Sequence, residues 1–313
     1  MANFENHTQD SVDRAELAAL TYRVYSTLAI PYKYGSTLKE IETVLGDECP
    51  DFIALAREGE TLVGWAGVYH WTKSMVYFLS WHPLVLPPNP EISQQLVRQC
   101  IQYTQSSGRD RMEVFLMNLT DEYRDYAATC GENYAAAGMK RGYEWAFMEA
   151  DLAHLDHSTR DIPDTMTLRS LSEVSNDALW PSYDDVFSSG QDRRYENQSR
   201  DQRRENFDSF FSRKVPIDED ASIVLFDGER IVGFVKIDIV ENGAYVHGVG
   251  VLPEYRRQGL GKFVLGTSLC KAAKNNRKRM ILEVDVENQA AIGLYRSLGF
   301  KKVKGSISYI WEQ

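Results

Sequence analysis

The stretch Val251-Leu252-Pro253-Glu254-Tyr255-Arg256-Arg257-Gln258-Gly259-Leu260-Gly261-Lys262 carries the clearest chemistry in the 313-residue chain. An apolar strand pattern ends at Val251, and a helical pattern starts beside the two glycines. A helix start leaves its first N–H groups unpaired, and the macrodipole adds partial positive charge there. Glycine lets a ligand approach the backbone closely. Arg256, Arg257 and Lys262 add full positive charges. Residues of these types in this order form a site for a pyrophosphate. An ordinary strand–turn–helix with solvated arginines is the alternative, and the strand before and helix after the turn weigh against it.

Such a turn needs a strand to end on and a helix to begin. Met166–Leu171 reads as a short strand, and residues 173–187 and 199–213 read as helices. Ser222–Phe226 and Ile231–Ile239 are apolar strands around the hairpin signal Asp227-Gly228-Glu229-Arg230. Ala244–Leu252 is the strand that enters the turn, and residues 259–275 are the helix that leaves it. Met280–Val286 is a β-branched strand. Asn288–Leu298 is a helix with Asn288 as N-cap and Gly299 as its stop. Residues 301–304 and 306–311 read as closing strands, and Ser188–Arg204 as a charged loop leading into a helix. The alternation describes an α/β layered domain with a mixed sheet.

Half of this pattern recurs earlier in the chain. Gly59-Glu60-Thr61-Leu62-Val63-Gly64-Trp65 matches Gly228-Glu229-Arg230-Ile231-Val232-Gly233-Phe234, 169 residues on. Arg109–Met112 matches Arg277–Met280 at an offset of 168, and Tyr134–Lys140 matches Tyr295–Lys301 at 161. One repeat of half the chain is a duplicated domain, since solenoid periods are far shorter. The expected domains are 1–157 and 158–313, with a polar linker near Ala153–Thr165 that includes Pro163. Residues 1–157 hold 12 Lys and Arg against 22 Asp and Glu, whereas residues 158–313 hold 23 of each. The acidic half accounts for the net charge of −10, which serves solubility and favours a cationic partner over nucleic acid.

Composition excludes several classes. Hydrophobic residues make up 43% and charged residues 26%, a globular mix. Mean hydropathy is −0.40, and no apolar run approaches the roughly 20 residues of a membrane span. The opening MANFENHTQD has neither a basic start nor an apolar stretch, so no secretory signal is expected. Cys49, Cys100, Cys130 and Cys270 are far apart with no C-x-x-C, so neither a zinc ribbon nor a disulfide framework is expected. The expectation is a reduced cytoplasmic protein without a metal.

Arg256-Arg257-Gln258-Gly259-Leu260-Gly261 resembles the R/Q-x-x-G-x-G/A acyl-CoA motif of the GNAT superfamily of N-acetyltransferases. The preceding Val-Leu-Pro-Glu-Tyr is also typical of that family. Asn288-Gln289-Ala290-Ala291-Ile292-Gly293-Leu294-Tyr295, followed by Leu298-Gly299-Phe300, resembles its second conserved block. The likeness covers about residues 222–305. The first half resembles the family only weakly. The whole chain is similar to tandem GNAT proteins, an arrangement also seen in mycothiol synthases, which implies an α/β fold of two tandem GNAT-like domains, each a mixed, mostly antiparallel sheet flanked by helices.

The resemblance implies transfer of an acetyl group from acetyl-CoA to a primary amine by direct attack in a ternary complex. It implies that the pyrophosphate lies on the amides of Arg257, Gln258, Gly259, Leu260, Gly261 and Lys262. The pantetheine arm would pair with the backbone edge of Val249, Gly250 and Val251, as an added strand does. An N–H near Val249 would polarise the thioester carbonyl. Tyr295 aligns with the family's tyrosine and would protonate the leaving thiolate, a packed helix aromatic being its alternative. Glu283, in a Leu-Glu-Val context similar to that of ribosomal-protein N-terminal acetyltransferases, is one candidate base. His247 is another, since histidine titrates near neutrality and strand alternation puts it on one face with Tyr245 and Val249. Water alone is the third reading, and Asp285 has less family support. Asn288 is expected to contact pantetheine, to cap its helix, or both.

The first half departs where the turn should be. After Trp81-His82-Pro83-Leu84-Val85-Leu86 comes Pro87-Pro88-Asn89-Pro90-Glu91. Prolines offer no N–H, and the glutamate repels phosphate. This half is therefore expected not to bind acetyl-CoA, and to shape the acceptor site, hold the other domain or mediate a homodimer. Its aromatic residues Tyr69, Trp71, Tyr77, Phe78 and Trp81, with His82, read as core or as a pocket. The basic run Lys271–Arg279 ends a helix, where cations are favoured; a contact to the CoA 3′-phosphate and a nucleic-acid surface are its other readings. A non-catalytic acyl-CoA-binding or partner-binding module is the alternative to the enzyme. The acceptor, a small-molecule or peptide amine, would sit against residues 180–215, where no substrate code is legible.

Overall fold

The computed structural model describes residues 2–30, 35–70, 75–78, 83–154, 165–190, 193–196, 198–211, 216–241 and 243–313. Most of the linker near Ala153–Thr165 lies outside the described residues, as do Trp71, Trp81 and His82; the side chains of Tyr77 and Phe78 are also not described. In chain order the elements of the first half are β1 (Asn3–His7), α1 (Arg14–Thr27), α2 (Leu38–Asp47), β2 (Phe52–Glu58), β3 (Thr61–His70), β4 (Met75–Phe78), β5 (Leu84–Val85), α3 (Pro90–Ser106), β6 (Arg111–Leu119), α4 (Arg124–Ala136) and β7 (Lys140–Asp151). The second half holds β8 (Met166–Ser170), α5 (Asn176–Ser188), α6 (Arg193–Glu196), α7 (Arg200–Phe210), β9 (Ile223–Asp227), β10 (Arg230–Val240), β11 (Gly243–Val251), α8 (Leu260–Lys274), β12 (Arg279–Asp285), α9 (Gln289–Ser297) and β13 (Lys301–Glu312). The segment expected to be a charged loop, 188–204, thus contains the short helix α6. The two closing strands are one strand, β13.

The chain forms two compact units, Met1–Glu144 with Gly305–Gln313, and Trp145–Lys304. The first unit orders its strands β1-β2-β3-β4-β6-β13, with β4 and β6 parallel and the other neighbours antiparallel. The second orders them β8-β9-β10-β11-β12-β7, with β11 and β12 parallel and the rest antiparallel. Order and sense match strand for strand, which is the duplication that the short sequence matches point to.

The units do not divide at 157/158. β7 is continuous from Lys140 to Asp151, and its residues 145–151 bond to β12, with Trp145 opposite Asp285 and Asp151 opposite Arg279. Residues 305–312 of β13 bond instead to β6 in the first unit. Each unit therefore takes its sixth strand from the end of the other half. Backbone N–H and C=O groups at a sheet edge must be paired, and an equivalent strand satisfies either edge.

In the second unit the two faces of β10 and β11 carry different helices. Residues directly opposite in an antiparallel pair share a face. Phe234 and its partner Gly250 lie under α5: Phe234 packs on Tyr183 and Phe187, and a Cβ at Gly250 would come within 2.3 Å of Val186 Cγ1. Gly233 and Val251 form the opposite face, where a Cβ on Gly261 of α8 would sit 3.9 Å from Val251 Cγ2. Helix α8 buries Leu260, Val264, Leu265 and Leu269.

Candidate functional site

The turn between β11 and α8 has the backbone its glycine demands. Gly259 is the N-cap of α8 with φ +85°, and no side chain caps the helix. A β-carbon in this left-handed region costs about 1–2 kcal/mol. Two residues earlier, Arg257 is also left-handed, with φ +60°. The first intrahelical bond runs from Phe263 N–H to Gly259 C=O at 3.0 Å, so the amides of residues 260–262 begin the helix without an intrahelical acceptor. Arg257 and Lys262 are exposed beside them. These features fit a pyrophosphate: open amides, a positive helix end and two cations.

Arg256 differs from the expectation. Its guanidinium turns into the protein and donates to Val251 C=O at 3.0 Å, Val186 C=O at 2.9 Å, and Ser189 C=O and Oγ at 3.0 Å each. The open carbonyls at the end of α5 draw the charge inward, as basic side chains do at helix C-termini. Arg256 thereby fastens α5 to the end of β11. Gln258 braces the same turn through Nε2 to Glu254 C=O at 3.1 Å, and the Tyr255 hydroxyl donates to Asp227 at 2.9 Å.

The strand entering the turn leaves its neighbour. β11 and β12 pair only at Ala244 with Met280 and Tyr245 with Ile281. From Val246 to Val251, β11 has no ladder to β12, which leaves the backbone edge of Val249, Gly250 and Val251 without a strand partner on that side. The β10–β11 register slips at the same place, with Ile237 opposite Val246 but Lys236 opposite Gly248. His247 is the extra residue of this β-bulge. The bulge breaks the alternation assumed from sequence. His247 shares a face with Tyr245, their rings 5.9 Å apart, while Val249 pairs with Val235 on the opposite face.

Three ionisable groups meet at the bulge. His247 Nδ1 lies 2.5 Å from Asp238 Oδ2, and Lys236 Nζ contacts Asp238 Oδ1. Lys236 and Asp238 are 2% and 3% exposed, and the His247 side chain is 24% exposed. Burial raises the Asp238 carboxyl, but hydrogen bonds from His247 and Lys236 outweigh it and hold the group below the usual carboxylate range. The Phe210 ring from α7 covers the imidazole at 4.8 Å. Sequence reasoning missed Asp238 and Lys236. Their signal was two charges spaced by two in the otherwise apolar run Ile231–Ile239.

The other expected residues are distributed around this strand pair. Glu283 is half-buried on β12, opposite Phe147. Asp285, named as a lesser base candidate, is buried and held by Arg193 of α6 through bonds of 2.7 and 2.8 Å. That pair ties α6 to β12. Asn288 caps α9, its Oδ1 accepting from Ala291 N–H at 3.1 Å. Tyr295 is buried on α9, with its ring 5.9 Å from Phe300. In the basic run, Lys271 and Lys274 sit in the last turn of α8, Arg277 bonds to Asp218 at 3.2 Å, and Arg279 bonds to Glu149 at 3.3 Å. No group of three or more metal-ligating side chains occurs among the described residues, and no described helix is long and apolar enough to cross a membrane.

The first unit builds a different helix start. Asn89 caps α3, its Oδ1 accepting from Glu91 N–H at 3.0 Å and Ile92 N–H at 3.2 Å. Pro90 opens the helix, and Glu91 adds a negative charge to its first turn. Tyr134, the counterpart of Tyr295, is fully buried on Tyr309, with no hydrogen-bond partner for its hydroxyl among the described residues. Burial holds its phenol well above the usual range. Of the aromatic residues read as core or pocket, Tyr69 is half-buried and donates its hydroxyl to Glu48 C=O at 2.6 Å.

Comparison with known proteins bears on the second unit. The model of the acetyltransferase (GNAT) family matches residues 177–300, all within that unit. The chain is 42% identical over 92 residues to an N-alpha-acetyltransferase of Saccharolobus solfataricus, covering 27% of this chain and 54% of that protein. The chain spans about half the length of the curated relatives it matches. A GCN5-related N-acetyltransferase from Sphaerobacter thermophilus shares the fold over 99% of this chain and 95% of its own, with a TM-score of 0.66 at 13% identity. A tandem GNAT protein from the clavulanic acid biosynthesis pathway does so over 100% and 98%, with a TM-score of 0.56 at 13% identity.

Proposed function

From the match of the GNAT family model to residues 177–300, within the second unit, we propose that the chain is a GNAT-superfamily member and that this unit transfers an acetyl group from acetyl-CoA to a primary amine. The observation that carries the reading is the uncapped, glycine-started α8 at the point where β11 parts from β12. Bound acetyl-CoA supplies the acetyl group as an activated thioester. The amides of residues 257–262, with Arg257 and Lys262, hold its pyrophosphate. Arg256 contributes by holding α5 to this turn. The free edge of Val249–Val251 pairs with the pantetheine arm, and an N–H of that edge donates to the thioester carbonyl. Asn288 sets the start of α9, which carries Tyr295. Tyr295 donates the proton to the departing thiolate, and Glu283 or His247 receives the proton of the acceptor amine.

The acceptor, a small-molecule or peptide amine, lies on the α5–α7 side of the sheet, where His247 faces. The first unit lacks the open helix start and binds no acetyl-CoA. The test is calorimetric titration with acetyl-CoA, followed by thiol release with an alanyl tripeptide amide, spermidine, glucosamine or lysine as acceptor. One site per chain and amine-dependent thiol release are expected. Two sites would overturn the account of the first unit. Binding without thiol release from this panel would favour an acyl-CoA-binding module.

A further inference from the structure

We infer that Asp238 is a positioning residue that fixes the His247 imidazole with its proton on Nδ1, so that Nε2 is the base that takes the proton of the acceptor amine. The inference rests on the acetyl-transfer reading and chooses between the two candidate bases. An ionised carboxylate can only accept hydrogen bonds. Asp238 faces the buried Lys236 ammonium on one oxygen and His247 Nδ1 on the other. Nδ1 must therefore carry the proton, and Nε2 of the neutral ring keeps its lone pair. The geometry is that of a histidine base oriented by a buried aspartate.

Structural stability does not explain these charges. Exchanging a buried ion pair for packed apolar residues is commonly neutral or stabilising. Around it, β10 is built from Ile231, Val232, Phe234, Val235, Ile237 and Ile239. Applying the 169-residue offset of the repeat, the first unit has Gly67 and Tyr69 where the second has Lys236 and Asp238. The paired charges thus occur only in the unit that has the open helix start. The bulge adds a second, independent observation. It inserts His247 into β11 where the ladder to β12 has ended, keeps the ring on the Tyr245 face that α7 covers, and turns Val249 to the opposite face. The groups facing the ring are Asp238 and Lys236 from β10, Tyr245 from β11 and Phe210 from α7. In the step proposed, the acceptor ammonium loses one proton to Nε2, which gives a neutral amine and an imidazolium whose Nδ1–H stays on Asp238.

The experiment is long-range 1H–15N correlation of the full chain labelled at its six histidines, with His247→Gln identifying the signal. In the neutral ring, a protonated Nδ1 and a bare Nε2 are expected. A proton on Nε2 would overturn the proposal without touching the acetyl-transfer reading. Asp238→Asn should lose or invert this tautomer. It should also lower amine-dependent thiol release at least ~100-fold, within the range for general-base catalysis, while acetyl-CoA affinity by calorimetry stays unchanged. Should Asp238→Asn fail to fold around a stranded Lys236, the double variant Lys236→Met/Asp238→Asn restores an uncharged strand and is expected to show the same loss. Wild-type turnover in either folded variant would overturn the proposal. Loss of acetyl-CoA binding by the wild-type chain would instead defeat the acetyl-transfer reading.

Discussion

Helices α8 and α3 follow corresponding strands in the two units, and they begin in opposite ways. α8 begins on a left-handed glycine, has no side-chain cap and has two exposed cations nearby. α3 begins on Asn89, which occupies its first amides, followed by a proline without an N–H and an exposed glutamate. The same helix dipole is thus offered to a ligand in one unit and satisfied internally in the other. A duplicated fold can keep its core while the two copies start this helix differently, because the core depends on the apolar face of the helix and the capping on its first turn.

Breaking the open start should have the largest effect. Gly259→Asp places a β-carbon in the left-handed region and a carboxylate at the phosphate position. Acetyl-CoA affinity should fall at least ~100-fold, or about 2.7 kcal/mol, by calorimetry, with the helical signal in circular dichroism retained. Gly250→Ala tests the packing behind the turn. Its Cβ would press on Val186 of α5 at 2.3 Å, so a loss of about 1–3 kcal/mol is expected in denaturant unfolding. Arg256→Ala removes the tie between α5 and β11. A loss of about 1–2 kcal/mol is expected, with acetyl-CoA affinity changing only a few-fold; a loss as large as that of Gly259→Asp would make Arg256 a direct phosphate ligand. Asn89→Ala in the other helix should cost about 1 kcal/mol of stability and leave acetyl-CoA binding untouched. Asn89→Gly imitates the start of α8 but should still create no second site, because Pro90 and Glu91 remain.

Much of this contrast was legible in residue types. The glycines of the turn, the prolines at 87, 88 and 90, and the apolar strands of the second half act through local rules of dihedral angle and periodicity. The strand spans of β9–β12 accordingly lie close to those expected. Asp238 and Lys236 escaped notice because a charge in a strand pattern reads as solvent-facing, whereas Phe210 of α7 and Phe211 at its end cover this face. The bulge at His247 escaped because a register slip depends on the partner strand. The cap role of Asn288 was legible, while the inward turn of Arg256 was not, since three of its four acceptors, on Val186 and Ser189, lie 67 to 70 residues away in the chain.

By itself the sequence determined most elements of the second half, their order, the duplication and the glycine-punctuated turn at residues 259–261. Each follows from interactions within a few residues or from periodicity along one element. Tertiary structure alone decided which strand completes each sheet, that Val249 stands on the face opposite His247, which acceptors Arg256 serves and which donors Asp238 receives. Those outcomes depend on groups distant in sequence that compete to satisfy the same buried polar atoms, and only the folded chain shows which of them meet.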